Sequence, residues 1–353
     1  MLVEDLEVAP GKRVGLGKPC FIIAEIGQNH QGNIYTAKQL IETAKKCGAD
    51  CVKFQKSYSQ EKFNKAALNR PYLSKHSWGK TYGEHKKYLE FSDEDFRELQ
   101  NYAEKVIKIP FTASAMDCKS VTFLEEIKVP FIKIGSGDAN NMPLIERAVS
   151  TNLPLVISTG MSDMEAVEEI YKTVKRSHNK FVLLHCISAY PPPPEEINLS
   201  VISEYQHRFS DVHIGYSGHE CGIGVSLAAV AKGAKVIERH ITLDRNLKGN
   251  DHKCSLEPKE FKQMVEEIRI IEAALGNPIK RIQDSELPCI SKLGKTIVAA
   301  KDLKKDTILT PEHIRIKVAE PKGLHPNDYL GKILVRDVVT DESITADCVT
   351  KDF

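Results

Sequence analysis

Val236-Ile-Glu-Arg-His-Ile-Thr-Leu-Asp244 reads as a strand by composition, yet it carries a carboxylate and an imidazole two positions apart. Residues two apart in a strand point the same way, so Val236, Glu238 and His240 share one face while Ile237 and Ile241 take the other. A buried strand of an α/β protein is apolar throughout, and a Glu and a His on its inner face are costly unless a metal or polar ligand pairs with them. Upstream, Val212-His-Ile-Gly-Tyr-Ser-Gly-His-Glu220 repeats the pattern, a short apolar run entering glycines and then His219. Two histidines are therefore expected at neighbouring strand ends, with Glu220 and Glu238 beside them to orient the rings or to act as a base.

Working outward, short apolar runs alternate with helical patterns. Further strands are expected at Cys20 to Glu25, Cys51 to Gln55, Ile107 to Thr112, Phe131 to Ile134, Leu155 to Ser158 and Phe181 to His185. A helix from about Ile34 to Cys47 ends at Gly48, and Ser92 with Asp95 opens another as a capping pair. Eight strand candidates before residue 275 predict a TIM (β/α)8 barrel. An open doubly wound sheet would want a Gly-x-Gly-x-x-Gly after its first strand, and none is there.

The phasing of polar residues supports the barrel. Glu25, Lys53 with Gln55, Thr112, Lys133, Ser158, Tyr190, His219 and Glu238 with His240 fall at the ends of successive strands, and that face of a barrel holds the active site. Lys53 and Lys133 both point inward, and two desolvated ammonium groups call for an anion such as a phosphate or carboxylate. The Gly135-Ser-Gly137 turn before Asp138 lets backbone N–H groups approach one. The alternative is a structural network in which the lysines pair with Glu25, Asp138 or Glu238. Neutral imidazoles at 219 and 240 suit a divalent metal, or else donate to an anionic substrate. Asp251-His252 forms a third acid–imidazole pair on a loop.

The 353 residues are 41% hydrophobic and 27% charged, with a formal net charge of +1, which gives no footprint for nucleic acid or a membrane surface. No run of about 18 apolar residues occurs and the N-terminus has no basic, apolar leader, so a cytoplasmic protein is expected. Nine scattered cysteines without a Cys-x-x-Cys fit reduced thiols.

Ile23-Ala-Glu-Ile-Gly-Gln-Asn-His-Gln-Gly32, Lys53-Phe-Gln55, Phe131-Ile-Lys-Ile-Gly-Ser-Gly-Asp138, Ser188-Ala-Tyr-Pro191, Gly215-Tyr-Ser-Gly-His219 and Glu238-Arg-His-Ile-Thr242, in that order, resemble the sialic acid synthase family in its animal-type branch. The resemblance implies condensation of phosphoenolpyruvate with an N-acetylmannosamine aldehyde, with release of phosphate. It implies that His219 and His240 ligate a divalent cation, manganese or magnesium, which polarises the aldehyde. Lys53, Lys133, Ser136, Ser158 and Tyr190 match the anion-holding positions, with Gln55 and Thr112 beside them. Glu25, Glu238 and Asp251 match positions that orient the sugar or a metal-bound water. Asp138 stands where many members carry Glu, as the group that handles the attacking water, and Ser188 replaces an Asn of bacterial members.

The insertion between Ser57 and Phe91 is rich in cations, and the animal-type resemblance implies the 6-phosphate of N-acetylmannosamine as acceptor, with Lys75, His76 and Lys80 as its candidate contacts. The unphosphorylated sugar is the alternative. Past residue 277, a linker at 278–291 leads to residues 292–353, where Leu293-Gly-Lys295 recurs as Leu330-Gly-Lys332, each ahead of an Asp-containing turn (Asp306, Asp341). This module resembles the antifreeze-like SAF domain of the same family, which implies a domain-swapped homodimer with Lys322 in place of a bacterial Arg. A glycan-binding homologue without catalysis would not need both lysines and both histidines, and a pyruvate aldolase would not need the paired anion site.

Overall fold

The computed structural model describes residues 3–350. An antiparallel hairpin, β1 (Leu6–Ala9) and β2 (Lys12–Val14), precedes eight parallel strands: β3 (Phe21–Gly27), β4 (Cys51–Lys56), β5 (Phe111–Ala115), β6 (Ile132–Ile134), β7 (Leu155–Ser158), β8 (Phe181–Cys186), β9 (His213–Gly218) and β10 (Val236–His240). They close in sequence order, β10 pairing with β3, so the expected TIM barrel is the fold observed.

Side-chain alternation sorts the core into two layers. Ile22, Ala24, Ile26, Val52 and Phe54 face outward onto helices such as Ile34–Lys46, whose Leu40, Ile41 and Ala44 are buried against them. Phe21, Ile23, Phe131, Val156, Val182, Leu184 and Val236 fill the barrel interior together with Val8, Ala9 and Val14 of the hairpin. The hairpin, which the sequence pattern did not reveal, thus plugs the N-terminal end, leaving the opposite end for chemistry.

Helix ends follow the sequence signals. Asn33 Oδ1 accepts from the Tyr35 and Thr36 N–H groups, Ser92 and Asp95 form the expected capping box, and Gly48 leaves its helix at φ 88°. One strand is displaced from expectation. The segment expected as strand from Ile107 is instead the end of a π-helical turn, Tyr102–Ile107, closed by Lys108 at φ 61°, and Pro110 delays the strand to Phe111. No helix among the described residues is long and apolar enough to cross a membrane.

The chain divides at Gly276 into two compact units. In the second, the stretch expected as a linker contains a helix, Leu287–Leu293. Strands β11 (Thr296–Ala299) and β12 (Ile314–Lys317) pair antiparallel, and Ile297, Leu309, Leu334, Ile344 and Cys348 make a small core. The internal repeat is visible in the backbone: Asp306 and Asp341 occupy equivalent turns at φ 68° each, a left-handed conformation that Asp tolerates.

Candidate active site

The C-terminal mouth of the barrel holds a cavity of about 250 Å³ lined by Glu25, Lys53, Gln55, Lys133, Ser136, Asp138, Ser158, Ser188, Tyr190, His219, Glu238 and His240. Strand register assembles it. His240 is level with Glu25, Glu25 with Lys53, and Ser114 with both Gln55 and Lys133, so chemistry-bearing residues of adjacent strands meet at one mouth.

Both inward lysines are neutralised by acids of the barrel. Lys53 Nζ lies 2.5 Å from Glu25 Oε2 and 3.6 Å from Glu238 Oε1, and donates to Ser114 Oγ at 2.8 Å. Lys133 Nζ donates to Ser158 Oγ and to the Ile134 carbonyl, each at 2.7 Å, with Glu238 Oε1 at 3.9 Å. Gln55 Nε2 donates to Glu25 Oε1 at 2.9 Å and Ser217 Oγ to Glu238 Oε1 at 3.2 Å. Burial depresses Lys53, but Glu238 and Glu25 more than offset it and raise its pKa; for Lys133 burial wins over Glu238 and the pKa falls. Burial pushes the Glu25 carboxyl up against the pull of Lys53, whereas for Glu238 burial is outweighed by Lys133 and Lys53 and the carboxyl stays charged.

The network nevertheless leaves gaps. Among the described residues, Ser188 Oγ, Glu238 Oε2 and His240 Nδ1 are buried without a hydrogen-bond partner. Such atoms are rare in a self-sufficient structural network and mark a place where a ligand completes the bonding. The Gly135 and Gly137 turn is equally open, since a Cβ on either would meet nothing within 4 Å. Ser136 Oγ accepts the Gly160 N–H at 3.0 Å, and any side chain on Gly160 would collide with Ser136 and Ser188.

The imidazoles of His219 and His240 lie 5.4 Å apart between centroids, with the Tyr190 ring 4.1 Å from His219. His219 Nδ1 donates to the Ile187 carbonyl at 2.9 Å, which leaves Nε2 as the acceptor of that ring. Burial, His219 and Lys53 hold His240 well below the usual histidine range and keep it neutral, the form that ligates. For His219, burial is outweighed by Cys186 and the Ile187 carbonyl, and its pKa rises. Among the described residues no three His, Cys, Asp or Glu side chains make a closed metal cage. Two ring nitrogens, one of them buried and unpartnered, fit a divalent cation whose other positions are left to water or substrate. Asp251 Oδ2 stands 3.9 Å from His240 Nδ1, its pKa raised by burial. Asp138 is 8% exposed, and burial lifts it to about 6 against the pull of Lys62.

Several expectations are corrected. Glu220 does not enter the cavity: it follows the end of β9, faces outward, and binds Arg239, Tyr216 and Ser226. Thr112 is level with Lys53 but does not line the cavity; it is fully buried, its hydroxyl bonded to the Phe131 carbonyl. Because β5 begins later than expected, its residue at the cavity is Ser114. Lys75 and Lys80 are exposed to solvent, and His76 Nδ1 accepts the Gly249 N–H at 3.1 Å; none of the three lines the cavity. His252 turns away to Thr242 Oγ1 at 2.7 Å. Lys322 Nζ donates to the Gly294 carbonyl within the second unit. Lys62, which no pattern in the insertion distinguishes from its other lysines, does line the cavity.

The NeuB family model matches residues 40–280 and the SAF domain model residues 294–350. N-acetylneuraminate-9-phosphate synthase of Homo sapiens is 54% identical over 98% of this chain and 97% of its own. The Drosophila melanogaster protein of the same name is 49% identical over 99% of this chain and 100% of its own. A crystal structure of N-acetylneuraminic acid synthetase from Leptospira borgpetersenii, in complex with citrate, superposes with a TM-score of 0.73 at 33% identity, covering 82% of this chain and 96% of that one. With a family model matched over more than half of its length and relatives this similar from end to end, the chain belongs to the NeuB family.

Proposed function

We propose that this chain condenses phosphoenolpyruvate with N-acetylmannosamine 6-phosphate, releasing inorganic phosphate and forming N-acetylneuraminate 9-phosphate. The observation that carries the reading is the single cavity in which Lys53 and Lys133 face two imidazoles across Glu25 and Glu238. The relatives named N-acetylneuraminate-9-phosphate synthase support it.

Lys53, Lys133, Ser136 and Ser158 hold the enol phosphate, whose roughly two to three negative charges are answered by two ammonium groups and hydroxyl donors. Ser188 and Tyr190 close the same side of the cavity, while Gln55, Glu25 and Asp251 orient the acceptor's hydroxyls. His219 and His240 would hold a divalent cation, manganese or magnesium, which when bound would supply Lewis-acid polarisation of the aldehyde oxygen. The enol carbon then bonds to the aldehyde carbon and water adds at C2. Asp138 takes the proton of that water, and cleavage of the C2–O bond releases phosphate.

An exposed apolar row, Ile279, Ile282, Leu287, Ile290 and Leu293, supports a homodimer in which the second unit, with Lys322, completes the site of its partner. Nine free thiols support a reducing, cytoplasmic setting. The test supplies phosphoenolpyruvate, a divalent cation, and either acceptor. Phosphate released one for one with a 2-keto-3-deoxy sugar acid is expected, and phosphate release without an acceptor would contradict the condensation.

A further inference from the structure

Lys62 and Lys86 are the half-buried lysines of the 57–91 insertion, and neither has a carboxylate within ion-pair distance among the described residues. Lys62 lines the cavity, yet its only hydrogen-bond partner among the described residues is the Met116 thioether at 2.7 Å. Lys86 Nζ donates to Gln28 Oε1 at 3.0 Å and lies 5.5 Å from the centre of the Tyr82 ring. A thioether and an amide oxygen do not neutralise two ammonium groups.

Lys56, at the end of β4, is buried against Asp93 at 2.9 Å and Glu90 at 3.7 Å. Lys53 and Lys133 have Glu25 and Glu238. The fold therefore neutralises the other three buried lysines around the mouth and omits these two. Burial pulls both below the usual lysine range; Asp138 and Asp251 act on them only at a distance, and the charge of Lys86 depresses Lys62 further. Like charges left partly desolvated in this way call for an anion.

We propose that Lys62 and Lys86 receive the phosphate of the acceptor sugar and so set the preference for a phosphorylated over a free acceptor. The assignment rests on the condensation proposed above. The enol phosphate already has Lys53 and Lys133 on the cavity floor. The acceptor, with its aldehyde at the two imidazoles, extends its far end toward the mouth, where the insertion follows β4. Lys75 and Lys80 are exposed and gain far less from an anion.

The experiment compares kcat/KM for N-acetylmannosamine 6-phosphate and for N-acetylmannosamine in the wild type and in the Lys62→Met, Lys86→Met and Lys62→Arg variants, with KM for phosphoenolpyruvate recorded for each. Met cannot make the charge-assisted hydrogen bond to phosphate, so either Met variant lowers the phosphorylated-to-free ratio by about tenfold or more, and Lys62→Arg restores most of it. Thermal melts identify a variant that has simply misfolded; the ratio in the variants that fold then decides. An unchanged ratio in folded variants overturns the proposal, as does a rise confined to the KM for phosphoenolpyruvate, which would give Lys62 to the enol phosphate. A wild type without preference for the phosphorylated sugar refutes the acceptor reading itself, a distinct outcome.

Discussion

Arg239 Nη1 lies 2.7 Å from Glu220 Oε1, both side chains buried on the outer face of the barrel, and each is the chain neighbour of one of the two cavity histidines. The guanidinium also donates to the Glu220 and Gly222 carbonyls and to Ser226 Oγ, while Tyr216 donates to the other Glu220 oxygen at 2.8 Å. This clasp fixes the ends of β9 and β10 from behind and holds His219 and His240 together in front.

Removing one partner of a buried ion pair strands the other, so Arg239→Met is expected to cost about 3–5 kcal/mol of stability in urea unfolding. Glu220→Leu combined with Arg239→Met should recover much of that stability, because paired replacement by apolar residues is often neutral. Metal affinity, measured by calorimetry, should stay weakened in the double variant. Recovery of both would reduce the clasp to a stability element.

His240→Ala is expected to abolish turnover and to weaken binding of manganese, followed by calorimetry, while circular dichroism remains that of the wild type. Turnover persisting at saturating metal would remove His240 as a ligand.

Lys53→Met leaves Glu25 and Glu238 facing each other with one cation fewer. The variant should lose roughly 3 kcal/mol of stability at pH 8. It should also lose at least about a hundredfold in kcat/KM for phosphoenolpyruvate, since a hydrogen bond from Lys53 to the phosphate would be charge-assisted and desolvated. A drop in stability without any change in kcat/KM would make Lys53 purely structural.

As the proposed base, Asp138, raised to about 6, would work only when ionised, so kcat/KM should climb with pH through about 6 rather than about 4. The sign for stability is opposite. The folded state binds this proton more tightly than the unfolded one, so the contribution is present below pH 4 and fades as pH rises to about 6. Asp138→Asn should therefore lack the acidic limb and unfold at higher urea than the wild type at pH 8. An acidic limb retained in Asp138→Asn would assign that titration elsewhere.

What the chain disclosed before folding was set by phase. Glu238 with His240, and Lys53 with Gln55, sit two apart in strands, and period-two geometry alone sends them inward. Glu220 escaped that logic because it lies beyond the last residue of β9, where alternation no longer binds, and its partner Arg239 could not be paired with it from sequence. Thr112 and Ser114 changed roles because the Lys108 turn and Pro110 delayed β5. In the insertion no periodicity separates Lys62 and Lys86 from Lys75 and Lys80; packing by Phe63, Tyr82 and Met116 does.

Convergence of two lysines and two histidines on one ligand pair is tested most directly by a crystal structure of the chain with manganese and phosphoenolpyruvate, using anomalous scattering to locate the metal. The expected result is one manganese bonded to a ring nitrogen of both His219 and His240, with the enol phosphate against Lys53 and Lys133. Manganese bound away from these histidines, or phosphoenolpyruvate outside the β3–β10 mouth, would contradict it.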